Sequence, residues 1–168
     1  MNYSIDGDIT KVTEREILEI YNWEGRLDYL LINSSGGDFI ATHNIVCKIL
    51  AHQPYLPVII EEKAFSAAAY LYLCLRNRYI FQGSSLYVHS IKSNIYVKDI
   101  SLLLCKRKYY SKLLRERIAA EFNIDTHTAN MWLRKGKAFP DSDLVYHLDS
   151  ILINNIKEIK KDDYSRSI

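Results

Sequence analysis

The sequence predicts an α/β fold, and three observations carry that reading. Two short runs, Leu27 to Ile32 and Leu56 to Glu61, are nearly all apolar, as strands covered on both faces must be. Between and after them, apolar residues recur at helical spacing. The resulting order of strand, helix, strand, helix, strand belongs to layered α/β domains.

Each element has a local reason. Tyr3 to Ile9 alternates loosely and reads as a short edge strand broken by Gly7. Thr13-Glu14-Arg15-Glu16 has the form of a capping box, with Val12 and Ile17 spaced as a staple. A helix is therefore expected from Glu14 to Trp23, with Ile17, Ile20 and Tyr21 on one face. After the Leu27–Ile32 strand comes a Gly-Gly loop. Ile45, Val46, Ile49 and Leu50 then mark a helix from Ala41 to His52. Pro54 and Pro57 bracket the way into the Leu56–Glu61 strand, and Ala67 to Leu75 is again helical. Arg78 to Phe81 and Leu86 to His89 read as two short strands flanking the turn Gln82-Gly83-Ser84-Ser85.

Lys98 to Phe122 contains neither Gly nor Pro and predicts the longest helix. Its apolar stripe is Ile100, Leu103, Leu104, Tyr110, Leu114, Ile118 and Ala119. Lys106, Arg107, Lys108, Lys112, Arg115 and Arg117 read as a solvated face. Short helices follow at Thr126 to Leu133 and Asp141 to Tyr146, then an edge strand from Leu148 to Leu152. Residues 1–155 read as one domain and residues 156–168 as a polar tail.

Composition excludes several classes. The 168 residues suffice for one core. A net charge of +2 is too mild to argue for nucleic acid. No apolar run approaches the roughly 20 residues of a membrane span, and Met1 to Asp6 does not read as a signal peptide. Cys47, Cys74 and Cys105 are odd in number and lie within helical patterns. They read as reduced core residues of a cytoplasmic protein, neither disulfides nor metal ligands. No cofactor or metal is expected.

The chemistry concentrates between Asn33 and His89. Ser66 follows an apolar run and precedes a helix, so its hydroxyl is expected at a helix N-terminus, where free amides favour negative charge. A serine nucleophile needs a base within hydrogen-bond reach and two amides aimed at the developing oxyanion. His89, at the end of a strand, supplies the base. Gly36-Gly37 can turn its backbone into an anion-accepting nest, and the amides of Gly37 and Ala67 are the expected oxyanion donors. Taken alone, Ser66 would more often be an N-cap and His89 a core histidine.

At these residues the chain resembles the proteolytic subunit of Clp protease, the ClpP family, within the wider ClpP/crotonase fold. Asn33-Ser34-Ser35-Gly36-Gly37, the small-residue turn Lys63 to Ala69, and Leu86-Tyr87-Val88-His89 occur in the family's order. The similarity runs from Tyr3 to Leu152. The resemblance implies repeated β-β-α layers with a long handle helix and a serine endopeptidase acting on peptides or unfolded polypeptides through an acyl-enzyme. It also implies stacked homo-oligomeric rings meshed by the handle helix and an AAA+ unfoldase as partner. No partner in nucleic acid or membrane is implied. Family members contact the unfoldase through an N-terminal segment for which Met1-Asn2 leaves no residues, so poor coupling is expected.

Three positions depart from the family's pattern. Glu62 stands where the family has Gly, four residues before the nucleophile. Lys137-Ala138 precedes Phe139 where the family has the triad Asp. Ser90 to Lys98 has no Gly. Asp141 is the carboxylate nearest the expected place, with Asp143 behind it, although Asp141 also reads as a helix cap. A Ser-His dyad oriented by a backbone carbonyl is the alternative, and Lys63 or Lys137 as base is a minor one. The rival function is a catalytically impaired ring subunit with a structural or regulatory role. A crotonase-type acyl-CoA enzyme shares the oxyanion logic but leaves Ser66 with His89 unexplained.

Overall fold

The computed structural model describes residues 1–23, 25–91 and 100–159. Its centre is β3 (Val58–Phe65), which changes partner along its length. Val58 to Ile60 pair with β4 (Arg78–Phe81), whereas Lys63 to Phe65 pair with β5 (Ser85–Val88). On the other side lie β2 (Tyr29–Gly37) and then β1 (Asn2–Ile9). Beyond β4 is β7 (Ile151–Ile153), and β5 carries β6 (Lys137–Pro140) on its outer edge. The pairing of β5 with β6 is antiparallel, and the other pairings are parallel.

The expected turn between Phe81 and Ser85 does not make a hairpin. β4 and β5 both run parallel to β3 and share its edge in succession. The buried Ser84 secures this step by donating its hydroxyl to the Glu61 carbonyl at 2.5 Å.

Helices cover the sheet. α1 (Lys11–Trp23) buries Ile17 and Tyr21, the expected face. Its start differs from the expected one. Thr10 is the cap, accepting from the amides of Val12 and Thr13, while Thr13 Oγ1 accepts from the Thr10 amide. Val12 is 51% exposed and makes no staple. Gly7 lies at φ +88°, where β1 shifts register against β2. α2 (Phe39–His52) is capped by Asp38, whose carboxylate accepts from Ile40 and Ala41. α3 (Ala67–Cys74) is buried at every position, because it runs through the middle of the domain.

α4 (Ile100–Glu121) is the expected long helix. Leu114 and Ile118 are buried, but Leu104 is 54% and Tyr109 55% exposed. The C-terminal half therefore packs on the body and residues 104–109 stand clear of it. Lys106, Arg107, Lys108 and Lys112 are exposed, as a solvated face requires, but Arg115 and Arg117 are half-buried, Arg117 Nε donating to the Leu73 carbonyl at 2.7 Å. The side chains of Ile100 and Leu103, the expected helix start at Lys98 and the tail from Lys160 onward lie outside the described residues. α5 (Thr126–Lys135) and α6 (Asp141–Leu148) follow, the first capped by Asp125.

The cysteines depart from expectation. Cys74 is buried, but Cys47 and Cys105 are exposed, and all three are free. No helix among the described residues is long and apolar enough to cross a membrane.

Candidate active site

Two strands run further than the apolar pattern indicated, and this builds the site. β2 continues through Asn33-Ser34-Ser35-Gly36-Gly37 because Gly36 and Gly37 still pair with Asp8 and Ile9 of β1. The expected loop is thus the end of a strand. β3 likewise continues through Lys63-Ala64-Phe65, and Ser66 follows directly. Ladder pairing holds these polar and small residues extended even though their side chains give no strand signal.

Ser66 sits at φ 56°, ψ −116°, a backbone conformation that non-glycine residues rarely adopt. Its amide donates to the Tyr87 carbonyl at 2.8 Å, and its own carbonyl accepts from Tyr70, closing the first turn of α3. Its side chain makes no capping hydrogen bond. Ser66 thus holds the N-cap position through its backbone alone, and among the described residues its hydroxyl has no hydrogen-bond partner. The amides of Ala67, Ala68 and Ala69 fall in the first helical turn, where no intrahelical acceptor exists.

The glycine pair is pressed against this turn. A Cβ added to Gly36, at φ +108°, would lie 2.7 Å from Ser66 Cβ, 2.8 Å from the Phe65 oxygen and 3.1 Å from the Ala67 nitrogen. One on Gly37 would strike the Ile9 backbone at 2.2 Å. Only glycine lets β2 pass between β1 and the serine turn. The buried Ser34 hydroxyl holds the loop from beneath, accepting from the Gly36 amide at 3.1 Å and donating to the Gly36 carbonyl at 3.3 Å. Sequence reasoning assigned Ser34 no role; a serine inside a run of strand residues was the available signal.

His89 follows β5, the strand whose Tyr87 carbonyl accepts from the Ser66 amide. Phe65 is in register with Tyr87, so the serine turn and His89 leave neighbouring strands on the same side of the domain. Adjacent strands lie about 4.8 Å apart. His89 Nδ1 lies 2.8 Å from the Ser90 carbonyl oxygen. A carbonyl only accepts, so Nδ1 carries the proton and the neutral ring has its lone pair on Nε2. The Ser90 peptide is itself fixed, its amide donating to Leu133 of α5 at 2.7 Å. The Tyr87 ring stands 5.7 Å from the His89 ring and 5.7 Å from that of Phe65.

The structure does not bring Asp141 to this pair. β6 runs antiparallel to β5, with Pro140 opposite Ser85 and Lys137 opposite Val88. Asp141 therefore falls level with the start of β5, five residues before His89, a separation of roughly 17 Å along an extended chain. Its carboxylate accepts from the Gly83 amide and from Ser142, each at 2.7 Å. Asp143 lies in the same first turn of α6. Strand β6, which decides this, was not expected, because Lys137-Ala138-Phe139-Pro140 is too short and mixed to show a period.

Lys63 stands in β3 in register with Ser85 of β5. Lys137 Nζ lies over the Phe139 ring at 5.5 Å and the Trp132 ring at 5.9 Å. Glu62 is exposed on β3 with ordinary backbone, so the strand does not need glycine there. No group of three or more metal-ligating side chains occurs among the described residues.

This arrangement defines a ClpP/crotonase-like α/β domain. No protein-family profile matches the chain, and neither does any curated protein sequence. Among solved structures it is similar to a point mutant of ClpP1 from Listeria monocytogenes, with a TM-score of 0.79. The match covers 95% of this chain and 94% of that one at 16% identity. The fold is ClpP-like over nearly the whole length.

Proposed function

We propose that this chain is a serine endopeptidase of the Clp protease kind, working through a Ser66–His89 dyad. The carrying observation is the Ser66 turn. A serine held at positive φ, with no hydrogen bond from its hydroxyl among the described residues and its amide tied to the strand that delivers a histidine, suits a nucleophile.

In the proposed mechanism Ser66 Oγ attacks the scissile carbonyl and His89 Nε2 takes its proton. The Ser90 carbonyl keeps the proton on Nδ1, so that Nε2 remains the base, and its dipole stabilises the imidazolium that forms. The oxyanion is received by the amides of Ala67 and Gly37. The Asp38 amide points toward β1, donating to the Ile9 carbonyl. His89 then protonates the leaving amine, and water, activated by the same nitrogen, releases the acyl group. A carbonyl dipole stabilises imidazolium less than a carboxylate does. Loss of the orienting acid in a full triad lowers kcat by about 10⁴, so slow turnover is expected. Substrates would be peptides or unfolded segments, and assembly would be ring-like through the exposed part of α4. An unfoldase partner belongs to the same proposal.

The engagement of Asp141 with Gly83 also favours a second reading, an impaired ring subunit in which the Ser66 turn survives without turnover. A fluorophosphonate probe separates the two. Labelling at Ser66 that is lost in Ser66→Ala supports the peptidase. No labelling of the assembled wild type supports the impaired subunit, and labelling that persists in Ser66→Ala removes Ser66 from the mechanism.

A further inference from the structure

A second cluster of nucleophilic and titratable side chains lies outside the Ser66 site, where α2, α3 and α4 meet. Cys47 and His43 are one turn apart on α2, with Cys47 Sγ 3.6 Å from His43 Nε2. His43 Nδ1 lies 2.9 Å from the Tyr70 hydroxyl of α3. Tyr70 and the buried Cys74 are one turn apart on α3. Either the Tyr70 hydroxyl donates to His43 Nδ1 or it accepts from Nδ1–H. The second arrangement is the one that makes His43 a base toward Cys47. The His43 lone pair is then on Nε2, facing the Cys47 thiol. Burial lowers the pKa of His43, which keeps the ring neutral and able to accept a proton. The rings of Tyr70 and Tyr110, 6.1 and 5.4 Å from it, hold the imidazole in place.

The cluster opens into a groove of about 370 Å³ whose walls combine the apolar Val46, Leu50, Leu113 and Ala120 with the charged Glu116 and Arg117. Cys47 is exposed there, whereas the Cys74 thiol is buried and pushed up to about 11. We propose that Cys47 is a second nucleophile of this chain, a thiol served by His43 that exchanges with small disulfides bearing an apolar arm and carries the mixed disulfide in this groove. This inference does not rest on the Ser66 reading.

The step balances without another reactant. The Cys47 proton passes to His43 Nε2 as the sulfur attacks one sulfur of the incoming disulfide. The new S–S bond forms as the old one breaks, and the departing thiolate takes the proton from His43. The dithiol–disulfide count is unchanged. Sulfur is the favoured target because its attack creates no oxyanion. Cys47 sits inside α2, where the amides are committed to the helix, so acyl transfer would find no donors.

Cys105, exposed on α4, is the internal reference. The experiment treats the full chain with an aromatic disulfide that releases a coloured thiolate, and assigns each cysteine by peptide mass mapping. Rates in the folded chain are divided by those in the urea-unfolded chain, which removes intrinsic differences between the thiols. Cys47 is expected to exceed Cys105 by at least on the order of tenfold, and a normalised rate equal to or below that of Cys105 overturns the proposal. His43→Asn is expected to bring Cys47 to the Cys105 rate, with Cys105 unchanged. Tyr70→Phe, which removes the Nδ1 acceptor at little change in volume, is expected to slow Cys47 severalfold. Undiminished Cys47 reactivity in either folded variant refutes the role of His43.

Discussion

Gly36→Ala tests the geometry of the serine turn most directly. The new Cβ would lie 2.7 Å from Ser66 Cβ, against an ordinary carbon contact of about 3.5–4 Å, so the two backbones must separate by roughly 1 Å. The other neighbours, the Phe65 oxygen and the Ala67 nitrogen, are backbone atoms, and Ser66 Cβ is bonded directly to the backbone, so no flexible side-chain end can yield. Alanine at φ +108° adds strain of about 1–3 kcal/mol. Together these cost roughly 3 kcal/mol, which lowers Tm by about 6–12 °C in a domain of this size. A displacement near 1 Å at the nucleophile also costs about 10²-fold in rate. Gly83→Ala is the control. It shares the positive φ, at +82°, but has nothing within 4 Å of the added methyl, so about 1 kcal/mol and no change in reactivity are expected. The assay pairs thermal unfolding with the rate of fluorophosphonate labelling. If Gly36→Ala matches Gly83→Ala in both readouts, β2 does not press on the serine turn and the oxyanion argument fails with it.

Further expectations follow from other contacts. His89→Ala should lower peptide hydrolysis by about 10³-fold or more, while Asp141→Asn stays within a few-fold of wild type; a folded Asp141→Asn variant as impaired as His89→Ala would show that the carboxylate reaches the histidine. Glu121 joins Arg78 of β4 at 2.5 Å and Arg117 of α4 at 2.8 Å, and its own side chain is largely withdrawn from solvent; Glu121→Ala should destabilise by about 3 kcal/mol in urea titration, and a loss below about 1 kcal/mol would mean that the base of α4 is held by packing alone. The Tyr72 hydroxyl is buried and donates toward Ser150 at 2.9 Å and the Tyr79 carbonyl at 3.2 Å; Tyr72→Phe should cost about 1–2 kcal/mol, read by the same titration. Light scattering at micromolar concentration should report a mass well above the 19.6 kDa of one chain, and a clean monomer would refute assembly through α4.

What the sequence determined by itself was the layer pattern and the glycine pair that meets the serine turn. Burial on both faces forces apolar runs, so the central strands were legible as Leu27 to Ile32 and Leu56 to Glu61. The 3.6 period exposed the Ile17–Tyr21 face and the long helix, because a helix on a sheet must be apolar on one side. Gly36-Gly37 was legible too, since a close backbone approach leaves no choice of residue.

Tertiary structure decided the rest, and in each case the cause is a partner distant in the chain. β2 and β3 run on through polar residues because β1 and β5 supply their hydrogen bonds. Thr10 rather than Thr13 caps α1 because β1 ends at Ile9 and delivers Thr10 to that place. Cys47 and Cys105 lie on exposed helical faces, and periodicity does not distinguish such a face from a buried one. The acid escapes the sequence for the same reason. Asp141 is near Phe139 in sequence, but antiparallel pairing of β6 with β5 sends it away from His89 and gives its carboxylate to the Gly83 amide. The orientation of His89 falls instead to the carbonyl of Ser90, whose position depends on Leu133 in a helix more than forty residues on. Such a backbone acceptor carries no side-chain signature, so only the folded chain could reveal it.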